Sequence, residues 1–402
     1  MRLQTMRFLL AAVVCLMCGI SFCGIRFAGP GGGGWIETVC PSRHDDHRIL
    51  VGCDVGGFYF SSDGGRSYEI RNRGLGDPMV ETIAEHPTNP SVLIVGGNGG
   101  LYKSEDLGRN WRKLTSGLPE PIPNGHSLPV IKVVWDESNP NRIYAATGCP
   151  RGHPEGGRRG HVYRSDDGGE SWRMVVAPDG PLVEAFPTEI LDLSVNAQDG
   201  RELLAVTSRG LFRSTDAAEH WQKVGDGLPD MALVRHVARS RVEPKRIYLT
   251  VRDGANAPLP RSASVWRSDD GGRTWVRTSD LPAVQRTSDG AEAMDAWGRM
   301  VVAVDPHDPD VVWCGGLWYR TALCVSRDGG RSWRVATEGL PLGWIDFWKH
   351  PACSLAVSPR NGNVVTFGSA GGLFGSEDGG RTWAQRSAAD GENGVVSTGL
   401  DV

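Results

Sequence analysis

The chain has 402 residues, a formal net charge of -4 at pH 7, 54 glycines and 14 tryptophans. That length suffices for a sizeable core, and the near-balanced charge excludes a broad nucleic-acid-binding surface. Glycine at this level without a collagen period implies many tight turns, and the tryptophans imply large flat packing or stacking surfaces.

The N-terminal segment, 1–28, pairs a basic start (Arg2, Arg7) with an uncharged run from Phe8 to Ile25. This pattern predicts a secretory signal peptide. Arg26 occupies a place where a cleavage site wants a small residue, so an uncleaved membrane anchor is the alternative. Phe22 before Cys23 argues against lipidation. The body of the protein is accordingly expected to be secreted or periplasmic, touching a membrane only through this segment.

Next comes "VGCDVGGFYFSSDGG" (51–65), with Asp54 and Asp63 each beside a Gly-Gly pair. Asp63 recurs. "SSDGGRSY", "SEDLGRNW", "SDDGGESW", "STDAAEHW", "SDDGGRTW", "SRDGGRSW" and "SEDGGRTW" place the shared aspartate at 63, 106, 167, 216, 270, 328 and 378. Such self-similarity marks a repeat architecture. The aspartate and serine side chains bond backbone groups of a tight turn, glycine supplies the positive φ, and the aromatic residue returns into the next strand. The fourth copy carries Ala217 and Ala218 in place of glycine, so its turn must be rebuilt or strained.

Around each copy lie further strand signals. "VETIAEHP", "VLIVGG", "GLYKS" and "NWRKLT" serve the second unit, and "VIKVVWD", "RIYAAT", "HVYRS" and "SWRMVV" the third. Asn89-Pro90, Asn139-Pro140 and Asp308-Pro309 join first strands to second. Four antiparallel strands per unit and seven units predict an all-β, seven-bladed propeller over 29–402, with one such turn per blade. The copies resemble the Asp-box (BNR) repeat of sialidase-like propellers. That repeat is shared by sialidases, family-74 glycoside hydrolases, sortilin-type receptors and photosystem assembly factors, so it speaks to fold more than to function. It makes Asp63 a structural turn residue.

The turns between third and fourth strands occupy one face. The opposite face takes the loops between second and third strands and the connections between blades, which vary in length and are the expected seat of function. Asp54 belongs there. So do Trp318, Tyr319 and Arg320, then Glu292, Asp295 and Trp297, then Trp344, Asp346 and Trp348. Flat rings mixed with charges suit a sugar chain, whose rings have apolar faces and polar rims. The competing reading is that Trp297, Trp344 and Trp348 plug the channel as a local core.

The opening "GGGGWIETVCPSRHDDHRILVGCDVGGFYFSSDGG" (31–65) is similar to the start of the family-74 hydrolases, the xyloglucanases. The resemblance implies that Asp54 is a catalytic carboxylate. Those enzymes set one carboxylate on each of two tandem propellers, whereas this length fits one. Glycosidic cleavage needs two carboxyl groups, roughly 5–5.5 Å apart for retention or about 6.5–9.5 Å for inversion. Asp346, Asp295, Glu292 and Glu189 are the candidates for the second, or a partner chain supplies it. A sialidase proper is disfavoured, because an early "RIP" segment is absent although Arg209, Arg252 and Arg320 fall in face loops. Expected partners are poly- or oligosaccharides, with a protein or peptide as the alternative for a non-catalytic propeller.

Of nine cysteines, Cys40, Cys53, Cys149, Cys314, Cys324 and Cys353 lie beyond the targeting segment. No spacing suits zinc, and no cofactor motif occurs. Cys314 and Cys324 flank one expected hairpin and are the first candidates for a disulfide in an oxidising compartment. Isolated buried thiols are the alternative.

Overall fold

The computed structural model describes residues 36–118, 129–148, 160–175, 190–207, 210–228, 233–252, 263–282, 300–315, 323–340, 352–369 and 372–386. They form seven four-stranded antiparallel sheets, each built from four consecutive strands. Blade one comprises Ile36–Pro41, Ile49–Cys53, Gly57–Ser61 and Glu69–Ile70. The first strands of the later blades are Thr82–Glu85, Val130–Trp135, Ile190–Val195, Leu233–Arg239, Val301–Val304 and Ala352–Val357. First strands contact one another in succession, and that of blade seven returns to that of blade one. They therefore line the axis of a closed ring.

Position in the ring explains the strand sequences. Second strands such as ILVGC, IYAAT and LLAVT are buried along their whole length, because neighbouring blades cover both faces. Their near-continuous apolar character follows from that double covering. Fourth strands are two or three residues long and largely polar, as in RKL, RM and QKV. They form the rim, where short charged edges discourage pairing with other chains.

Among the described residues the apolar core falls into seven clusters, each at a junction between consecutive blades. The aromatic residue that closes each repeat packs there. Trp111 meets Phe58 of blade one edge-on at 5.1 Å, and Trp383 meets Trp313 of blade six at 6.0 Å. Every blade sheds apolar surface only by stacking on its neighbours, which is why the repeat must close.

The repeated turns behave as their chemistry predicts. In all seven, the serine hydroxyl donates to the aspartate at 2.7–2.9 Å. The same hydroxyl accepts a backbone N–H four residues on. Asp63 also accepts the N–H groups of Arg66 and Ser67 and the Ser67 hydroxyl. Burial raises its pKa, but these hydrogen bonds outweigh it and hold the carboxyl below the usual range. The fourth copy keeps the same turn, with Ala217 and Ala218 at φ of 64° and 70°. It is therefore strained rather than rebuilt.

Candidate functional site

In blade one the second strand ends at Cys53, and residues 54–57 turn the chain into the third. The order of strands puts this turn on the face opposite the Ser-x-Asp turns. Three contacts fix it. The Val80 N–H, from the connection entering blade two, donates to the Cys53 carbonyl at 2.9 Å. The Asn72 side chain accepts the Phe58 N–H at 2.8 Å and donates to the Gly56 carbonyl at 2.9 Å. Gly56 lies over the Tyr59 hydroxyl, where a Cβ would come within 2.5 Å of that oxygen. Gly57 has φ of 84°, and a Cβ on it would sit 2.3 Å from the Asn72 amide. The second glycine is thus required by both backbone and packing.

The turn carries Asp54 half-buried at its base and leaves Val55 54% exposed at its tip. Blade two repeats the turn as Gly97-Asn98-Gly99-Gly100, with Gly99 over the Tyr102 hydroxyl as Gly56 is over Tyr59. There Gly97 pairs with Gly100 as Cys53 pairs with Gly57, so two residues turn the chain in blade two where three, Asp54 to Gly56, turn it in blade one. Asp54 is the extra residue of the blade-one turn, so blade two has no counterpart to its carboxylate.

Beside Asp54 the structure places a carboxylate that sequence reasoning did not select. Glu37 occupies the irregularity in the first strand of blade one, between Ile36, which pairs with Cys53, and Thr38. Bulges re-aim side chains and recur next to active sites. Glu37 is only 5% exposed. Burial drives the Cys53 thiol well above its ordinary pKa, and the negative charges of Asp54 and Glu37 push it the same way. One sulfur therefore lies within electrostatic reach of both carboxylates. The Tyr59 hydroxyl is likewise raised, by burial and then by Cys53. A charged residue inside the apolar run "WIETVC" was the available signal for Glu37; nothing local singled out Asn72.

Further charges line the axis near this face. Asp192, buried on the first strand of blade four, meets Lys132 Nζ of blade three at 3.1 Å and His236 Nε2 of blade five at 3.5 Å. It also accepts the N–H groups of Leu193 and Val237, each at 2.9 Å. Burial opposes ionisation, yet His236, Lys132 and the Val237 amide outweigh it and keep the carboxyl below its usual range. The Asp192–Val237 bond is one of a set. Thr82 accepts the Val133 N–H and Ser354 the Val39 N–H, so side chains on first strands tie blade two to three, four to five and seven to one.

Asp346, Asp295, Glu292 and Glu189, offered as the second carboxylate, lie outside the described residues, as do Trp318, Tyr319, Arg320, Trp344, Trp348 and Trp297. Among the described residues no group of three or more His, Cys, Asp or Glu could hold a metal ion. No described helix is long and apolar enough to cross a membrane.

No family model matches the chain. A probable oligoxyloglucan-reducing end-specific xyloglucanase of Neosartorya fischeri is 26% identical over 357 residues, covering 82% of this chain and 37% of that protein. Xyloglucanase Xgh74A of Acetivibrio thermocellus is 27% identical over 300 residues, covering 63% of this chain and 32% of that one. The chain thus spans about a third of the length of these relatives. The crystal structure of the GH74 xyloglucanase of Xanthomonas campestris superposes with a TM-score of 0.65 and 20% identity, over 90% of this chain and 55% of that one. YCF48 of Cyanidioschyzon merolae superposes with a TM-score of 0.58 and 16% identity, over 87% of this chain and 97% of that one. The fold is therefore a GH74-like seven-bladed propeller.

Proposed function

We propose that this protein is an extracytoplasmic glycan-binding propeller that cleaves β-glycosidic bonds of a xyloglucan-like polysaccharide, with Asp54 as a reacting carboxylate. The observation that carries the reading is the placement of Asp54. It is held at the base of a turn braced by Asn72, on the variable face, in a chain whose sequence relatives are xyloglucanases. Glu37 is the second carboxyl group of the reaction. It lies in the same blade, so the chemistry needs no second propeller. One of the two protonates the leaving oxygen, and the other acts as nucleophile or activates water. Trp318, Tyr319, Trp344, Trp348 and Trp297 stack on sugar rings, and Arg320 bonds their hydroxyls. Export through the N-terminal segment places the protein where its polysaccharide is.

A panel of β-glucans including xyloglucan, incubated with the wild-type protein and with Asp54→Asn and Glu37→Gln, tests this. Release of reducing ends by the wild type should fall at least about 100-fold in either variant. Activity that survives both substitutions rejects the assignment.

A second reading rests on size. YCF48 matches this chain over 97% of its own length, and a YCF48 structure has been solved with D1 peptide bound. On that reading the face binds a protein or peptide without cleaving anything. Absence of hydrolysis on every glucan, with saturable capture of an extended peptide that Asp54→Asn weakens, favours it over the first.

A further inference from the structure

The loop between the second and third strands of blade six contains Trp318, Tyr319 and Arg320, and a cysteine stands at each end. Cys314 lies in the second strand (Val312–Gly315), and Cys324 opens the third (Cys324–Ser326). They are direct partners across the antiparallel ladder. Both side chains enter the same apolar cluster between blades five and six, with Tyr248, Val265, Met300 and Val312, and both are completely buried. Burial pushes the Cys314 thiol well above its ordinary pKa, and the neighbouring Cys324 pushes it the same way. The structure holds them as thiols.

Directly opposed residues in an antiparallel pair have Cα atoms about 4.5 or 5.5 Å apart, according to whether they exchange hydrogen bonds. Either separation falls in the window of roughly 4.4–6.8 Å that a disulfide spans. Cys40 and Cys53 provide the contrast. Cys40 pairs with Leu50 and Cys53 with Ile36, so they stand at opposite ends of one ladder and cannot be bridged.

We infer that Cys314 and Cys324 are a disulfide site whose bridge ties the second and third strands of blade six together at the end where residues 316–322 connect them. The chemistry is thiol–disulfide exchange. One cysteine thiolate attacks the disulfide of an oxidant such as oxidised glutathione or an oxidase protein, giving a mixed disulfide and one released thiol. The second thiolate then displaces the remaining half, so two protein thiols and one disulfide become one protein disulfide and two thiols. Because both sulfurs are buried once blade six packs on blade five, the exchange precedes that packing. The finished bridge then resists reductant unless the fold is opened.

The full chain, refolded from urea in a glutathione redox buffer and separately recovered from an oxidising export compartment, is alkylated in denaturant and digested without reductant. Mass spectrometry is expected to find the Cys314 and Cys324 peptides joined, with Cys40 and Cys53 alkylated. Reductant should separate the pair at least about tenfold faster in denaturant than in native buffer. In Cys314→Ser, Cys324 should become alkylated. Alkylation of both cysteines in both preparations overturns the inference, as does a bridge from either one to Cys149 or Cys353.

Discussion

Two glycine-to-alanine substitutions separate backbone strain from packing in the repeated turns. Gly168 and Gly380, the first and second glycines of their turns, have nearly the same φ, 74° and 73°. Their surroundings differ. A Cβ on Gly168 would meet nothing within 4 Å, whereas one on Gly380 would lie 2.0 Å from the buried Trp313 ring. Placing alanine in the left-handed region costs about 1–2 kcal/mol. The stiffer unfolded chain returns roughly 0.4–1 kcal/mol of this. Gly168→Ala should therefore destabilise by about 0.5–1 kcal/mol. Gly380→Ala pays the same backbone cost and must also shift a tryptophan that packs edge-on against Trp383. Overpacking of that kind adds about 1–3 kcal/mol, for a total of about 1.5–4 kcal/mol. Urea unfolding followed by tryptophan fluorescence, with slopes compared, measures both. Equal losses, or a larger loss for Gly168→Ala, would refute the argument that packing on the neighbouring blade separates these sites.

Other expectations follow from the same contacts. Asn72→Ala removes both bonds that brace the Asp54 turn and should cost about 1–2 kcal/mol of stability, read by thermal or urea unfolding. On the proposed function it should also lower turnover more than it changes apparent substrate affinity. Asp192→Ala strips Lys132 and the Val237 and Leu193 amides of their acceptor and should cost about 2–4 kcal/mol. Asp192→Asn keeps an acceptor oxygen and should cost less; the reverse order would contradict the geometry. Acid should weaken the fold in a defined window. The Asp167, Asp270 and Asp328 carboxyls are held at about 2 in the folded protein, for Asp328 chiefly by the Ser332 hydroxyl and for the other two by turn hydrogen bonds that outweigh burial. The unfolded value is near 3.9, so their stabilisation is present above that pH and disappears as pH falls towards 2. The urea midpoint should drop between pH 4 and 2, and a flat or rising midpoint there would exclude the proposed role of these carboxyls.

Much of the architecture could be read from the chain because it is encoded locally and repeatedly. Ser61, Asp63 and Gly65 define a turn through atoms within a few residues of one another, and six further copies give the number of blades. Repeat position alone separates Asp63, shared by all copies, from Asp54, present in one. The strain at Ala217 and Ala218 was also foreseeable, since their neighbours in the alignment of copies are glycines. The flanking of one hairpin by Cys314 and Cys324 needed only the strand pattern.

What the tertiary structure decided depends on register and on closure of the ring. Glu37 and Asp54 are 17 positions apart, and only the pairing of Ile36 with Cys53 brings them to one end of blade one, where both charges push the Cys53 thiol up. Asn72 reaches the Asp54 turn from the connection that leaves the blade, a contact no periodicity predicts. The blade-one turn is one residue longer than that of blade two, so two turns of similar sequence differ in what they carry. Lys132, Asp192 and His236 belong to three blades and meet only because first strands line a common axis. Turns follow from forces acting over a few residues, whereas a site on the axis is assembled by packing seven separate sheets.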